Sequence, residues 1–355
     1  LIRNKAGRKN RIQQISRSRK HGLGHCTRIL LACVLCVCLL GCLPGCVSVR
    51  TQIAYSIYPI GWLVSALAQN TVTTVSLQDG QTAQRAQIQS NYQDILAKSA
   101  VFMHIGDLEP YLSVYQNEIA SSGTPVLDLS AHNAVYDFAR YTPDDSSSAS
   151  DYQESAWYDS ALFDQTDMYE KDVSLWNDPV LMLSMAKDIL SWLEKTYPEN
   201  TDLYETNFKK LEADLVDLDA QYQALATQAA DQSITLRFVT VTPSFGNWQK
   251  TYGFQVYPLV LSRYGVLPDE EELAVMEQRI KTDGVQYIVY EDSMPDDMKG
   301  LFNRVMNDCG LTRIDLSNLS SLTPQQEEDG KDYLSIMYEN LAVLQSIVEQ
   351  KDQAG

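Results

Sequence analysis

Between positions 198 and 229 the chain carries Tyr204, Phe208, Leu211, Leu215, Leu218, Tyr222 and Leu225, and the alternating steps of four and three put them all on one helical face. This spacing predicts a single long helix. Pro198 suits a first helical position, Glu199 and Asp202 sit near the positive end of the helix dipole, and no Gly or Pro intervenes before Asp231. At about 1.5 Å per residue the helix spans roughly 48 Å, longer than one small domain is wide. Globular sequence flanks it on both sides, so a strut between two lobes is expected rather than a coiled-coil seam.

With 355 residues, 45% of them hydrophobic and 21% charged, the chain has material for two ordinary cores. Charge is distributed unevenly. Residues 1–41 hold nine of the 28 basic residues and no acidic one, which leaves 19 basic against all 46 acidic residues, a formal charge of −27. A surface of that sign repels nucleic acid and anionic membrane. Six of the seven cysteines, Cys26, Cys33, Cys36, Cys38, Cys42 and Cys46, precede the first strand. Only Cys309 is left for the folded part, so no disulfide framework is expected within it.

The start reads as an export signal over 1–41: a basic region ending at Arg28, an apolar core of about a dozen residues, then Leu39, Leu40, Gly41 and Cys42. That core is short for a permanent membrane span, and Cys33-x-x-Cys36 inside it is not read as a redox or zinc motif. A small residue before a cysteine at this place resembles a bacterial lipoprotein box, which makes Cys42 the expected lipidated residue. Cys46 is the alternative. Residues 42–50 are then an anchor linker, and the chain is expected to be exported and held to the outer face of the cell membrane.

From Thr51 onward short strands alternate with helices. Strands are expected at 53–57, 71–77, 101–105 and 126–129, and helices at 60–68 and 109–118. Residues 131–171, with nine acidic and two basic residues and the run Asp144-Asp145-Ser146-Ser147-Ser148, read as a mobile acidic loop. Asp178 caps and Pro179 opens a helix to 194. After the strut come strands at 235–241, 286–290 and 312–316, helices at 245–252, 269–280 and 295–309, and a closing helix at 332–348. The predicted fold is α/β: lobes of parallel sheet at 51–197 and 230–355, joined by one rigid helix at 198–229. In such sheets ligands bind beyond the carboxyl ends of the strands, which puts the site in a cleft between the lobes.

Several blocks carry a resemblance. Tyr58-Pro59 after the first strand, Leu108-Glu109-Pro110-Tyr111-Leu112 after the third, Leu175-Trp176-Asn177-Asp178-Pro179 before the helix and Thr240-Val241-Thr242-Pro243-Ser244-Phe245-Gly246 in the second lobe occur in this order. Together they resemble the zinc and manganese solute-binding lipoproteins of bacterial ABC importers, from Thr51 to about Val348. The resemblance implies a permease and an ATPase as partners, zinc or manganese as cargo, a monomeric binding protein and no catalysis. It also implies four ligand places in the cleft. In this sequence they fall at Ala86, Ser174, Thr242 and Ser317, or at Asp315 if the last alignment slips by two. None of the first three is a histidine or carboxylate. Neutral hydroxyls offer little charge to offset dehydration of a divalent ion.

Three readings of the cleft stay open. In one, the ion is held by relocated ligands, His104, Glu291 and Asp315, each at the end of a strand; solvated or capping carboxylates are common at such places. In another, Tyr58, Trp176, Trp248 and Tyr290 line a site for a small organic molecule or a chelated metal, although aromatics beside Pro and Gly commonly serve packing. In the third, the fold persists as a surface interaction protein. No phosphate-binding glycine loop, nucleophile elbow or histidine beside a candidate nucleophile supports an enzyme. A strut of this length also predicts small lobe closure.

Overall fold

A computed structural model describes residues 50–354, except 81, 134–136, 140–151, 155–157, 159 and 170. The expected signal, linker and lipidated cysteines, Cys42 and Cys46, lie outside the described residues, as does much of the acidic 131–171 stretch.

Two parallel sheets are built on one plan. In the first sheet β1 (Gln52–Tyr55) lies between β2 (Thr73–Ser76) and β5 (Ser99–His104), and β6 (Val126–Asp128) forms an edge. Ile53 stands opposite Thr74 on one side and Val101 on the other. In the second, β9 (Arg237–Thr240) lies between β10 (Gln255–Pro258) and β11 (Tyr287–Tyr290), with β12 (Thr312–Asp315) outside β11. Each sheet therefore reverses its winding beside its first strand, and the carboxyl ends there, after Tyr55 and after Thr240, border the cleft.

β10 was not expected from sequence. It has four residues and ends on Pro258, which an edge strand tolerates because its outer side needs no amide donor. The short pair β3 (Gln78–Asp79) and β4 (Gln87–Ile88) forms an antiparallel ribbon in the first lobe, and β7 (Asp137–Ala139) pairs with β8 (Tyr152–Glu154). The helix expected at 109–118 is two short ones, α3 (Tyr111–Val114) and α4 (Gln116–Ser121), divided at Tyr115. Before them come α1 (Tyr58–Ala68) and α2 (Tyr92–Lys98). In α1, a Cβ at Gly61 would lie 2.6 Å from the Tyr55 ring, which would have to move aside.

α5 (Pro179–Thr196) begins as expected, with the Asp178 carboxylate accepting from the amides of Val180 and Leu181 and Pro179 in the first turn. The strut is α6 (Thr201–Asp231); Pro198–Asn200 form a separate 3-10 turn, so the α-helix starts three residues later than the proline suggested. Tyr204, Leu211, Leu215, Leu218, Tyr222, Leu225 and Ala229 are its buried face, and Phe208 is half-buried. Its first half is fastened to lobe one: Tyr204 OH lies 3.0 Å from Thr71 Oγ1, and Asn207 Nδ2 donates to Leu67 O at 2.8 Å. Its second half is fastened to lobe two, where Tyr222 OH donates to Met337 O and Tyr252 OH to Asp219 Oδ1, each at 2.9 Å. One apolar core runs without a break from Ile53 of β1 along the strut to Phe238 of β9 and Val348 of the closing helix. Relative movement of the lobes has to disturb that core, because packed interiors resist continuous deformation.

Lobe two is completed by α7 (Gly246–Tyr252), α8 (Glu270–Thr282), α9 (Asp296–Cys309), α10 (Pro324–Glu328) and α11 (Tyr333–Ala354). Among the described residues no helix is long and apolar enough to cross a membrane.

Candidate functional site

The cleft is closed by hydrogen bonds to backbone carbonyls on both of its sides. At its back the turn 174–177 carries Trp176, whose indole donates to Asn318 O at 2.7 Å, while Trp248 of α7 returns an indole bond to Asn177 O at 2.8 Å. Tyr333 OH donates to Trp176 O at 2.6 Å and Asn247 Nδ2 to Ser174 O at 3.2 Å. Both tryptophans are fully enclosed in the common core. They fasten the two lobes together and present no face to a cargo. Tyr58 and Tyr290 are half-buried; Tyr290 packs edge-on against Phe302 with the Arg313 guanidinium 3.6 Å above its ring.

At the switch point of the second sheet, Thr242 and Glu291 are 1% exposed each. The Thr242 hydroxyl donates to Glu291 Oε2 at 2.9 Å, the Ser244 hydroxyl lies 2.7 Å from that of Thr242, and the Asn318 amide also donates to Glu291. Burial raises the Glu291 carboxyl to about 7, and the bonds from Thr242 and Asn318 only partly oppose it. Ser174, buried, follows Asp172, whose Oδ1 accepts from the Ser174 amide at 2.9 Å; enclosure lifts Asp172 to about 7 as well. In lobe one Glu109 is raised to about 8, by burial first, with Ser56 as its opposing neighbour.

Ala86 is buried after the 3-10 turn Ala83–Arg85, and Ser317 is half-buried, with its amide and carbonyl bonded to the side chain of Asn340 at 2.9 and 2.8 Å. The relocated-ligand trio is not brought together. His104 Nδ1 lies 2.9 Å from Gly106 O, its ring stacks on Phe102, and it borders an apolar hollow of about 400 Å³ at the β5–β6 edge. Asp315 is exposed and paired with Arg313. Glu291 and Asp315 instead share a different, polar pocket of about 350 Å³ with Ser317, Asn340 and residues of α10. Among the described residues no three His, Cys, Asp or Glu side chains are grouped to hold a metal ion. What the cleft offers is hydroxyls, amides and carboxyls that burial drives toward neutrality, a donor set for hydrogen bonding.

Sequence reasoning missed Gln84, Arg85 and Asn318, whose partners are remote in the chain, and did not single out Glu109 or Asp172 as buried acids. For Glu109 a signal was present: it sits between Leu108 and the block Pro110-Tyr111-Leu112, an apolar setting for a carboxylate.

Comparison with known proteins gives a consistent picture. The model of a family described as zinc-uptake complex component A, periplasmic (ZnuA), matches residues 53–347. The high-affinity zinc uptake system protein ZnuA of Bacillus subtilis (strain 168) is 29% identical over 177 residues, 49% of this chain and 52% of that protein. Zinc-binding lipoprotein AdcA of Streptococcus pneumoniae R6 is 27% identical over 190 residues, 52% of this chain and 36% of AdcA. The chain thus spans about half, or less, of these relatives. The periplasmic zinc-binding protein TroA from Treponema pallidum superposes with a TM-score of 0.63 over 84% of this chain and 99% of TroA at 17% identity, which shows a shared fold.

Proposed function

The chain belongs to the ZnuA family of periplasmic zinc-uptake components, and from that premise we propose that it is the extracytoplasmic solute-binding component of a zinc/manganese-type ABC importer whose cleft holds cargo by hydrogen bonds rather than by a shell of metal ligands. The observation that carries this reading is the state of Thr242: where the resemblance implies a histidine or glutamate ligand, a buried hydroxyl is committed to Glu291 and Ser244. Ala86 and Ser174 add no ionisable donor. A bare zinc or manganese ion would lose its hydration shell against neutral oxygens, which is unfavourable by the chemistry of both ions. A chelated metal or a small polar molecule needs no such charge, and the pocket of Glu291, Ser317 and Asn340, lined by lobe two alone, has the volume for a small one. A permease and an ATPase are the partners this function requires, with the protein acting as a monomer, exported and anchored through lipid on Cys42 or Cys46.

Calorimetric titration of the purified chain with zinc and manganese, after metal analysis of the protein as isolated, tests this. No binding at micromolar ion is expected. Tight one-to-one binding would overturn it, and substitution of His104, Glu291 and Asp315 would then show which of them ligate.

A further inference from the structure

Residues 82–85 of lobe one reach directly onto lobe two. Thr82 Oγ1 donates to Ser293 O at 3.3 Å, and Gln84 Nε2, on a side chain that is 5% exposed as a residue, donates to Ser262 O at 3.0 Å and Val260 O at 3.3 Å. Arg85 closes the set. Its Nε and Nη2 donate to Gly265 O at 3.0 and 2.5 Å, and its Nη1 bonds both carboxylate oxygens of Asp297 at 2.8 Å. Asp297 is prepared for this role: its Oδ1 also accepts from the Met298 amide at the start of α9, and the guanidinium and these bonds hold its carboxyl below the usual range.

Gly265 fits the same contact. Its φ is +67°, a left-handed conformation, and a Cβ there would lie 2.8 Å from Arg85 Cγ and 2.9 Å from Nε. The backbone of lobe two is thus shaped so that the guanidinium can lie flat against it. A second bridge runs in the opposite sense, from Arg263 of lobe two to Asp107 of lobe one at 3.3 Å.

We propose that residues 82–85 are an intrachain strap that holds the lobes closed in the absence of cargo. The parts contribute unequally. The Arg85–Asp297 pair is partly exposed and screened by salt, so it adds little by itself. Gln84 matters more, because its removal takes a donor from two carbonyls at a buried contact, of which Ser262 O keeps the Gly265 amide and Val260 O loses its side-chain partner. Where the closed form already dominates, a ligand has little population left to shift. The closed surface is then presented to a partner continuously, and cargo occupancy is not what signals it. This inference does not depend on which cargo the cleft takes.

The test is single-molecule energy transfer in the full chain, chelator-treated and cargo-free, with fluorophores on noncanonical residues encoded at exposed Lys98 in lobe one and exposed Asn307 in lobe two. The wild type is expected to show one narrow population. Gln84→Ala with Arg85→Ala is expected to shift the distribution to a new or broader transfer state, with circular dichroism unchanged. Gly265→Ala, which keeps both strap residues and drives a methyl into the guanidinium, should produce the same shift if the double variant fails to fold. A wild type that already populates two states, or folded variants whose distribution matches the wild type, would overturn the strap.

Discussion

Thr242 and Glu291 join the ends of neighbouring parallel strands: the Thr242 hydroxyl, two residues past β9, donates at 2.9 Å to the carboxyl of Glu291, one residue past β11. In a sheet of this winding that is the place where a ligand is met. Here the acceptor at the switch point is satisfied from within the lobe, by Thr242 and by Asn318. The Glu291 carboxyl is consequently held by donors of its own lobe, and burial favours its neutral form.

The buried acids have a pH signature. Glu109 is raised from 4.5 to about 8, Glu291 from 4.5 to about 7 and Asp172 from 3.8 to about 7, in each case by burial first. Between the unfolded and folded values the native state binds more protons, so the contribution of these groups to stability is fully present below about 4 and is lost as pH rises toward 8. Denaturant unfolding should therefore give a higher free energy at pH 5.5 than at pH 8.5. Glu109→Gln should flatten the slope by on the order of 3 kcal/mol across that window. A slope unchanged by the substitution would show that Glu109 is ionised in the native protein at neutral pH.

Asp178 serves two structures with one carboxylate. Oδ1 caps α5 at the amides of Val180 and Leu181, and Oδ2 accepts from Thr251 of α7 at 2.6 Å. Asp178→Ala is expected to cost about 2 kcal/mol, the upper end for a cap because a second bond goes with it, and Thr251→Val about 1 kcal/mol. Urea denaturation of the two variants checks the order; equal losses would mean that the cap itself contributes nothing.

The strut separates core from surface within one turn. Leu218 is fully buried, while Val216 is 55% exposed. Leu218→Ala should destabilise by roughly 3 kcal/mol through lost burial and a residual cavity, and Val216→Ala by less than about 0.5 kcal/mol. Thermal unfolding of both, in parallel, would contradict the packing if their shifts were alike.

The strut was legible because seven apolar positions repeat at one period over many turns, a signal that no local competitor disturbs. The two lobes were legible for the same reason at shorter range, with Asp178-Pro179 announcing its helix directly. Local chemistry failed where tertiary partners decide. β10 has too few residues to alternate visibly and is a strand only because β9 lies beside it. Gln84 and Arg85, beside Ala86, carry no local signal, because their partners, Val260, Ser262, Gly265 and Asp297, are more than 170 residues away in sequence. Trp176 and Trp248 fell near the cleft in sequence order, yet their indoles point into the shared core, because an aromatic ring that can bury its body and still bond its N–H stabilises a lobe junction.

The donor set also makes a constructive prediction. If Ala86, Ser174 and Thr242 stand where the resemblance implies ligands, then Ala86→His, Ser174→His and Thr242→His together should create a zinc site, with Glu291 beside position 242 as an available carboxylate. Three neutral imidazoles and a carboxylate are a zinc donor set, and the metal would draw Glu291 back to its ionised form. Each single variant is expected to stay without binding at micromolar zinc. The triple variant should bind one ion and gain about 2.7 kcal/mol of apparent stability when free zinc is a hundredfold above its dissociation constant. Calorimetry and zinc-dependent melting measure both quantities. A folded triple variant that ignores zinc would show that these positions do not converge, and the place of cargo would have to be sought in the polar pocket of Glu291, Ser317 and Asn340 alone.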